Sequence, residues 1–303
     1  CGSDLQAYRG QSPMVSYPRV LGHEVSGTIA ALGGEVPGSL RPGQRVTAVP
    51  TTECGLCPAC QAGRPNCCQV NETLGVQRDG ALTARISVPY TKVYASEALS
   101  AKEIALVEPL SVGYHAANRG AVSELDTVLV IGCGAIGLGV ICAAARKGAT
   151  VIASDIDDAK LALARRFGAA EVVNSRQEDV LARVRDLTGG EGPRVAIEAV
   201  GLPQTFRLAV EAVCYAGRVV YIGYAADEVT YDSKESVRKA RDVRGSRNQL
   251  RAFPGVIRMM ERRERPFLDL VTRVYPLAET GQALADWNAA PASVSKILID
   301  VTA

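Results

Sequence analysis

The chain has 303 residues, enough for two domains, because single cores seldom grow much past that size. Apolar residues make up 47% and charged residues 22%, the balance of a soluble globular protein, and a net charge of +2 gives no reason to expect nucleic acid as a partner. Five of the nine cysteines crowd into positions 54–68 and no charged-then-apolar leader opens the chain, so a reducing cytoplasm with metal-binding thiols is expected rather than a secreted disulfide framework.

Residues 1–107 are rich in Gly and Pro, with β-type runs at 45–49 and 85–88, and are expected to form a small β-rich domain. They open on Cys1-Gly2-Ser3-Asp4, and Gly22-His23-Glu24 follows. A thiolate, an imidazole and a carboxylate can bind zinc and leave a fourth position open, as a catalytic site requires. A Gly-His-Glu tripeptide by itself is usually a turn, and no second His follows Glu24 at helical spacing, which excludes a metalloprotease motif. Cys54-x2-Cys57-x2-Cys60-x7-Cys68 is far more specific. Four thiolates so spaced can close around one structural zinc. Ferredoxins also begin C-x2-C-x2-C, but their fourth cysteine follows a short spacer and precedes Pro, whereas Cys68 precedes Gln69. Zinc is preferred, with Cys67 a bystander.

From 108 to 223 short apolar strands alternate with helical stretches, which predicts a doubly wound parallel sheet. Strands are expected at 127–131, 150–154, 171–174, 194–200 and 218–222, and helices at 135–147, 158–167, 177–187 and 204–213. The uncharged run 128–145 is long enough to resemble a membrane span, but Gly132, Gly134, Gly137 and Gly139 divide it into strand, turn and helix. The turn reads Gly132-Cys133-Gly134-Ala135-Ile136-Gly137, the pattern that seats a dinucleotide pyrophosphate at a helix N-terminus. Asp155 ends the next strand at about the 20-residue distance expected of the acid that holds the adenosine ribose hydroxyls. Asp157 and Asp158 add negative charge and no arginine follows closely, so NAD is expected rather than NADP, with Lys160 in reach of the adenosine side. Val200-Gly201 and Ile222-Gly223, at the ends of adjacent strands, are candidates for the nicotinamide end. His115, the second of two histidines, reads as a packing or capping residue.

A charged connector follows Gly223, then a helix near 253–263 and a last strand at 295–300. Lys234, Arg238, Lys239, Arg241, Arg244, Arg247 and Arg251 lie in the connector, and most such runs are solvated surface.

These residues resemble the zinc-containing medium-chain alcohol dehydrogenases. The resemblance rests on Cys1-Gly2-Ser3-Asp4, Gly22-His23-Glu24, Pro42-Gly43-Gln44-Arg45-Val46, the four-cysteine loop with Gly63 and Asn66, Glu108-Pro109-Leu110-Ser111-Val112 and the glycine turn. Glu108 to Val112 is most like the sorbitol and xylitol dehydrogenase branch. Tyr17-Pro18-Arg19-Val20-Leu21 and Gly245-Ser246-Arg247-Asn248 are similar to bacterial relatives acting on sugar acids such as galactonate.

The resemblance implies a GroES-like catalytic barrel from 1–107 and 249–303, a Rossmann domain from 108–248, an active site in the cleft between them, and a homo-oligomer, dimer or tetramer. It implies catalytic zinc on Cys1, His23 and Glu24, structural zinc on Cys54, Cys57, Cys60 and Cys68, and Glu108 near the catalytic metal, directly or through water. Ser3 corresponds to the hydroxyl that receives the substrate proton, and Arg247 and Asn248 to a segment returning toward the substrate, where arginine could grip a carboxylate. The implied reaction is reversible oxidation of a secondary alcohol of a polyol or sugar acid by NAD.

Three departures stand out. Relatives have strands before the first zinc ligand, so the chain is expected to be a fragment of a longer barrel. Gln6 stands where His usually follows the relay hydroxyl, and Ala81-Leu82-Thr83-Ala84-Arg85 replaces a common Gly-Phe-Ala-Glu-Tyr. A threonine-type dehydrogenase and a non-catalytic NAD-binding protein are the alternatives.

Overall fold

The computed structural model describes residues 1–302, which form two compact units. The first comprises Cys1–Pro109 and the chain from Phe253 onward, and the second is Leu110–Ala252. Their borders fall slightly beyond 107/108 and 248/249.

The first unit begins with helix α1 (Gly2–Tyr8), anchored by buried Leu5 and Ala7. Strands β1 (Gly27–Thr28), β2 (Arg45–Ala48) and β3 (Val93–Ala95) form an antiparallel sheet with Gly27 opposite Val46 and Val46 opposite Ala95. Short helix α2 (Pro58–Gln61) lies within the cysteine lobe. Helix α3 (Ala101–Ala105) starts at a reciprocal cap, in which Ser100 accepts from the Glu103 N–H and Glu103 reaches back to the Ser100 N–H. The expected strand at 85–88 does not form. A β-prone run becomes a strand only where a neighbour supplies N–H and C=O groups in register, and no ladder meets this run among the described residues.

Helix α4 (Val107–Arg119) carries the chain into the second unit. There β4 (Thr127–Ile131), α5 (Ala135–Arg146), β5 (Thr150–Asp155), α6 (Asp158–Phe167), β6 (Glu171–Asn174), α7 (Val180–Leu187), β7 (Val195–Glu198), α8 (Pro203–Ala212), β8 (Arg218–Tyr221), α9 (Ser233–Arg238) and β9 (Asp242–Gly245) alternate. The six strands are parallel in the order β6-β5-β4-β7-β8-β9. The order reverses between β4 and β7, and a ligand crevice is expected outside the carboxyl ends of those strands. Leu129, Ile152, Val173, Ala196 and Val219 are almost fully buried along the sheet, each large side chain contributing roughly 1.5–3 kcal/mol of burial.

Three details depart from the sequence expectation. Helix α7 begins at Val180 instead of 177, because the Asp179 carboxylate accepts from the Ala182 N–H and caps it there. Strand β7 stops at Glu198 rather than 200, where the side chain of Glu198 takes the next backbone N–H groups. Strand β9 occupies part of the presumed connector. Asp242 and Arg244 read as loop, yet an edge strand needs only one ladder and tolerates charge on its wet side.

The chain then returns to the first unit through α10 (Phe253–Glu261), whose Phe253 ring lies 5.5 Å from that of Tyr94. Strands β10 (Val271–Pro276) and β11 (Lys296–Asp300) pair in parallel, with α11 (Thr280–Ala289) between them in sequence. Arg9 beyond α1 donates to Asn288 of α11 at 2.7 Å. Among the described residues no helix is long and apolar enough to cross a membrane.

Candidate functional site

In the first unit, α1 and the Leu21–Glu24 turn meet. The Asp4 carboxylate accepts from the Gly22 N–H at 3.1 Å, and the Gly80, Ala81 and Leu82 N–H groups bond the Val20, Gly22 and Leu21 carbonyls. Gly22 has φ +94, and a Cβ there would sit 2.9 Å from Leu82 Cγ, so only glycine fits this close approach. The turn thereby delivers His23, only 7% exposed, with its Nδ1 3.8 Å from Asp4 Oδ2. That nitrogen is buried without a hydrogen-bond partner. Potential ligand atoms of Cys1, His23 and Glu24 all lie within 4.8 Å of one another. A soft thiolate, a neutral imidazole and a carboxylate converging in this way are a donor set that suits zinc.

The residue that sequence reasoning missed is Lys296. At the start of β11 it is nearly buried, and its Nζ lies 2.6 Å from both Glu24 oxygens. Burial alone would raise the Glu24 carboxyl, but the Lys296 ammonium, the Cys1 amino group and His23 together outweigh it and hold the group at about 2. Glu108, near the start of α4, is buried in the same field. Desolvation pushes its carboxyl up to about 7, the Glu24 charge adding to the rise while His23 and Lys296 oppose it. No local spacing could have announced Lys296, since 272 residues separate it from its partner. A lone lysine in an apolar C-terminal strand is the only signal, because such a group is seldom buried unpaired. Ser3 and Gln6 occupy positions one turn apart on α1, Ser3 half-buried and Gln6 exposed.

The four cysteines of the lobe also converge, with ligand atoms mutually within 4.8 Å. The Cys54 N–H points at Cys68 Sγ at 3.3 Å, and the Leu56 and Cys57 N–H groups point at Cys54 Sγ at 3.4 and 3.3 Å. Such backbone donors favour thiolates, and the N–H groups of Gln69 and Cys60 hold Cys57 down at about 6. Cys67 is outside the cluster and lies 3.8 Å from an Arg64 guanidinium nitrogen.

In the second unit, β4 runs into the glycine turn and α5 begins at Ala135, capped by Gly134. A Cβ on Gly137 would fall 1.8 Å from the Gly132 carbonyl oxygen, so the third glycine is required for packing. Asp155 ends β5 beside the turn. Its carboxylate accepts from Cys133 N–H at 2.7 Å and from the Ile156 and Asp157 N–H groups at 2.8 and 3.1 Å. Asp157 caps α6 through the Lys160 N–H, whereas Asp158 accepts from Asn174 and Gln177. Lys160 is half-buried. Val200 and Gly201 follow β7 and Ile222 and Gly223 follow β8, so with Gly132 they share the carboxyl-end rim of the sheet. Arg247, exposed, and Asn248, half-buried with φ +50, follow β9 on the same rim. Within that run Arg238 pairs with Glu235 and Arg244 with Asp242, each at 2.6 Å.

Comparison with known proteins places this geometry in context. The sequence profile described as "Alcohol dehydrogenase GroES-like domain" matches residues 1–98, and that described as "Zinc-binding dehydrogenase" matches residues 135–262. L-galactonate-5-dehydrogenase of Escherichia coli (strain K12) is 33% identical over 279 residues, covering 92% of this chain and 82% of that one. Sorbitol dehydrogenase of Bacillus subtilis (strain 168) is 33% identical over 291 residues, covering 94% and 82%. Among solved structures, an alcohol dehydrogenase from Escherichia coli CFT073 complexed with NADH superposes with a TM-score of 0.90 at 29% identity, covering 99% of this chain and 88% of that one.

Proposed function

The chain belongs to the zinc-binding alcohol dehydrogenases with a GroES-like domain, and from that premise we propose that it oxidises a secondary hydroxyl of a sugar acid with NAD. The observation that carries the proposal is the convergence of Cys1, His23 and Glu24, none of which a purely dinucleotide-binding protein would need. Those three residues would hold a catalytic zinc, which when bound supplies a Lewis acid that makes a substrate hydroxyl more acidic. Asp4 backs His23, and Lys296 keeps Glu24 ionised. Glu108 adds an acid beside them. Ser3 would pass the hydroxyl proton outward, and Gln6 can orient water but cannot take up that proton. The four lobe cysteines would hold a second zinc with no position left for substrate, so metal analysis should find about two zincs per chain rather than one. The clustered thiols support a cytoplasmic setting, and a homo-oligomer is part of the same proposal.

Asp155 would hold the adenosine ribose hydroxyls, and its charge with those of Asp157 and Asp158 supports NAD over NADP. Replacing Asp155 with Ala should weaken NAD binding by about 1.5–3 kcal/mol through loss of charge-assisted hydrogen bonds. Because Asp155 also holds the Cys133 N–H, Asp155→Asn is the companion variant. Unchanged NAD affinity in the Ala variant would remove the ribose assignment.

The preference for an acid over a neutral polyol is supported by Arg247 on the carboxyl-end rim, where a guanidinium could take a carboxylate through two parallel hydrogen bonds. The experiment compares turnover of an aldonate and its matching alditol in wild type and Arg247→Ala. The aldonate should be the better wild-type substrate, and the substitution should slow it selectively by about 1.5–3 kcal/mol. A faster alditol, or equal slowing of both, would leave the polyol as the substrate class.

A further inference from the structure

The carbonyls that close the C-terminal end of α4 find partners from two sources. Those of Ala116, Ala117 and Asn118 accept from the N–H groups of Gly120, Val122 and Ala121. The next three are taken by arginines of the sheet. Arg244 Nη1 of β9 donates to the Arg119 carbonyl at 3.1 Å, and Arg218 Nη1 of β8 donates to the Gly120 and Ala121 carbonyls at 2.9 Å each. Guanidinium groups are favoured there, because the carbonyls at a helix C-terminus carry the negative end of its dipole. One bond runs the other way. Arg119 Nε donates at 3.2 Å to the carbonyl of Gly245, the last residue of β9.

Helix and strand are unequal partners in this exchange. The helix is wedged in place. A Cβ on Gly113 would fall 2.3 Å from the Ile136 carbonyl oxygen of α5, and one on Gly120 would meet Val195 and Val220 of the sheet at 3.2 and 3.3 Å. Strand β9 is the edge of the sheet, laddered to β8 alone, and none of its four residues is fully buried. An edge strand leaves one row of its backbone groups outside any ladder, so side chains must supply further anchors. The ladder side holds on through Ser246, whose N–H bonds the Tyr221 carbonyl at 2.8 Å. Arg119 supplies the anchor at Gly245, two residues before Arg247 on the carboxyl-end rim.

We propose that Arg119 is a positioning residue for Arg247: its Nε ties the end of β9 to the wedged helix and so sets where the Arg247 guanidinium meets a substrate carboxylate. The proposal rests on the reading of Arg247 as the carboxylate-binding residue. Substitution separates the bond from the charge. Arg119→Gln can place its amide nitrogen where Nε stands, which keeps the donor and removes the charge. Arg119→Lys keeps the charge but puts a methylene at that place. Arg119→Met removes both.

The test uses the zinc-loaded chain with L-galactonate and galactitol, an acid and a neutral polyol of one carbon skeleton. It reads kcat, KM and the Kd of each compound for the NADH complex, the last by NADH fluorescence. Arg119→Lys and Arg119→Met should raise KM and Kd for galactonate about fivefold, with kcat and the galactitol constants within about twofold of wild type, and Arg119→Gln should match wild type within about twofold. In an Arg247→Ala background Arg119→Met should bring no further loss, because one residue acts through the other. Unchanged galactonate constants in the Lys variant, a Gln variant as impaired as Lys, equal losses for acid and polyol, or additive losses in the double variant would each overturn the proposal. Should Arg119→Met fail to fold, the Lys and Gln variants decide by the same constants. Turnover of neither compound, or equal slowing of both by Arg247→Ala, would instead remove the carboxylate reading, and this role of Arg119 with it.

Discussion

His23→Ala is expected to lower kcat/KM on the order of 10³-fold or more, because Lewis-acid stabilisation by a bound metal is worth several kcal/mol and each 1.36 kcal/mol is tenfold in rate. The same variant should retain about one zinc per chain instead of two, since a site built on three protein ligands loses most of its affinity with one donor gone. The fold should survive. His23 Nδ1 makes no hydrogen bond, and the turn around it is held by the Asp4 carboxylate and by the three backbone bonds from residues 80–82. Zinc content and activity should thus fall while cooperative unfolding persists. A variant that keeps two zincs and activity within tenfold of wild type would show that the metal is held elsewhere.

Lys296→Met should have the largest effect on stability. The substitution leaves the Glu24 carboxylate buried beside an apolar chain, and breaking a buried ion pair from one side costs about 3–5 kcal/mol. The depressed carboxyl, to which Lys296, the Cys1 amino group and His23 all contribute, points the same way. A group held at about 2 against an ordinary 4.5 contributes on the order of 3 kcal/mol when ionised. The sign follows from the lowered folded value. This contribution is complete above about pH 4.5, where the unfolded carboxyl is also ionised, and is lost as the pH falls toward 2. Urea unfolding of the metal-free protein at neutral pH should therefore show the full loss in Lys296→Met, and the wild-type advantage should shrink in acid. Adding Glu24→Gln to Lys296→Met should recover part of the loss by removing a charge whose nearest remaining cation is the Cys1 amino group at 3.8 Å. Zinc should recover part of it in the single variant, because Glu24 regains a cation. Equal stability of wild type and Lys296→Met in metal-free protein would show that the pair contributes nothing net.

Features encoded over short stretches were legible without the structure. The strand–turn–helix around Gly132 to Gly137 is local, because each glycine meets a steric demand set within a few residues, and Asp155 follows one crossover later. The cysteine lobe is equally legible, since Cys54, Cys57, Cys60 and Cys68 lie close in sequence and their ligand atoms converge in the structure. Alternating apolar strands and helices announced the parallel sheet for the same reason: burial on both faces of a strand writes a continuous apolar run.

What only the tertiary structure decided depends on residues far apart in sequence or on competition for the same backbone groups. Lys296 belongs with Glu24 because β11 returns to the cluster of Cys1, His23 and Glu24, and long-range ion pairing leaves no periodic trace. The expected strand at 85–88 has β propensity but no ladder, whereas β9 has charged residues but a sheet edge to join. Glu198 looked like an ordinary strand residue, yet its side chain displaces the ladder at the end of β7 by capturing the N–H groups of Val200 and Gly201. In each case composition states what a segment can tolerate, and the partner that satisfies its polar groups determines what it becomes.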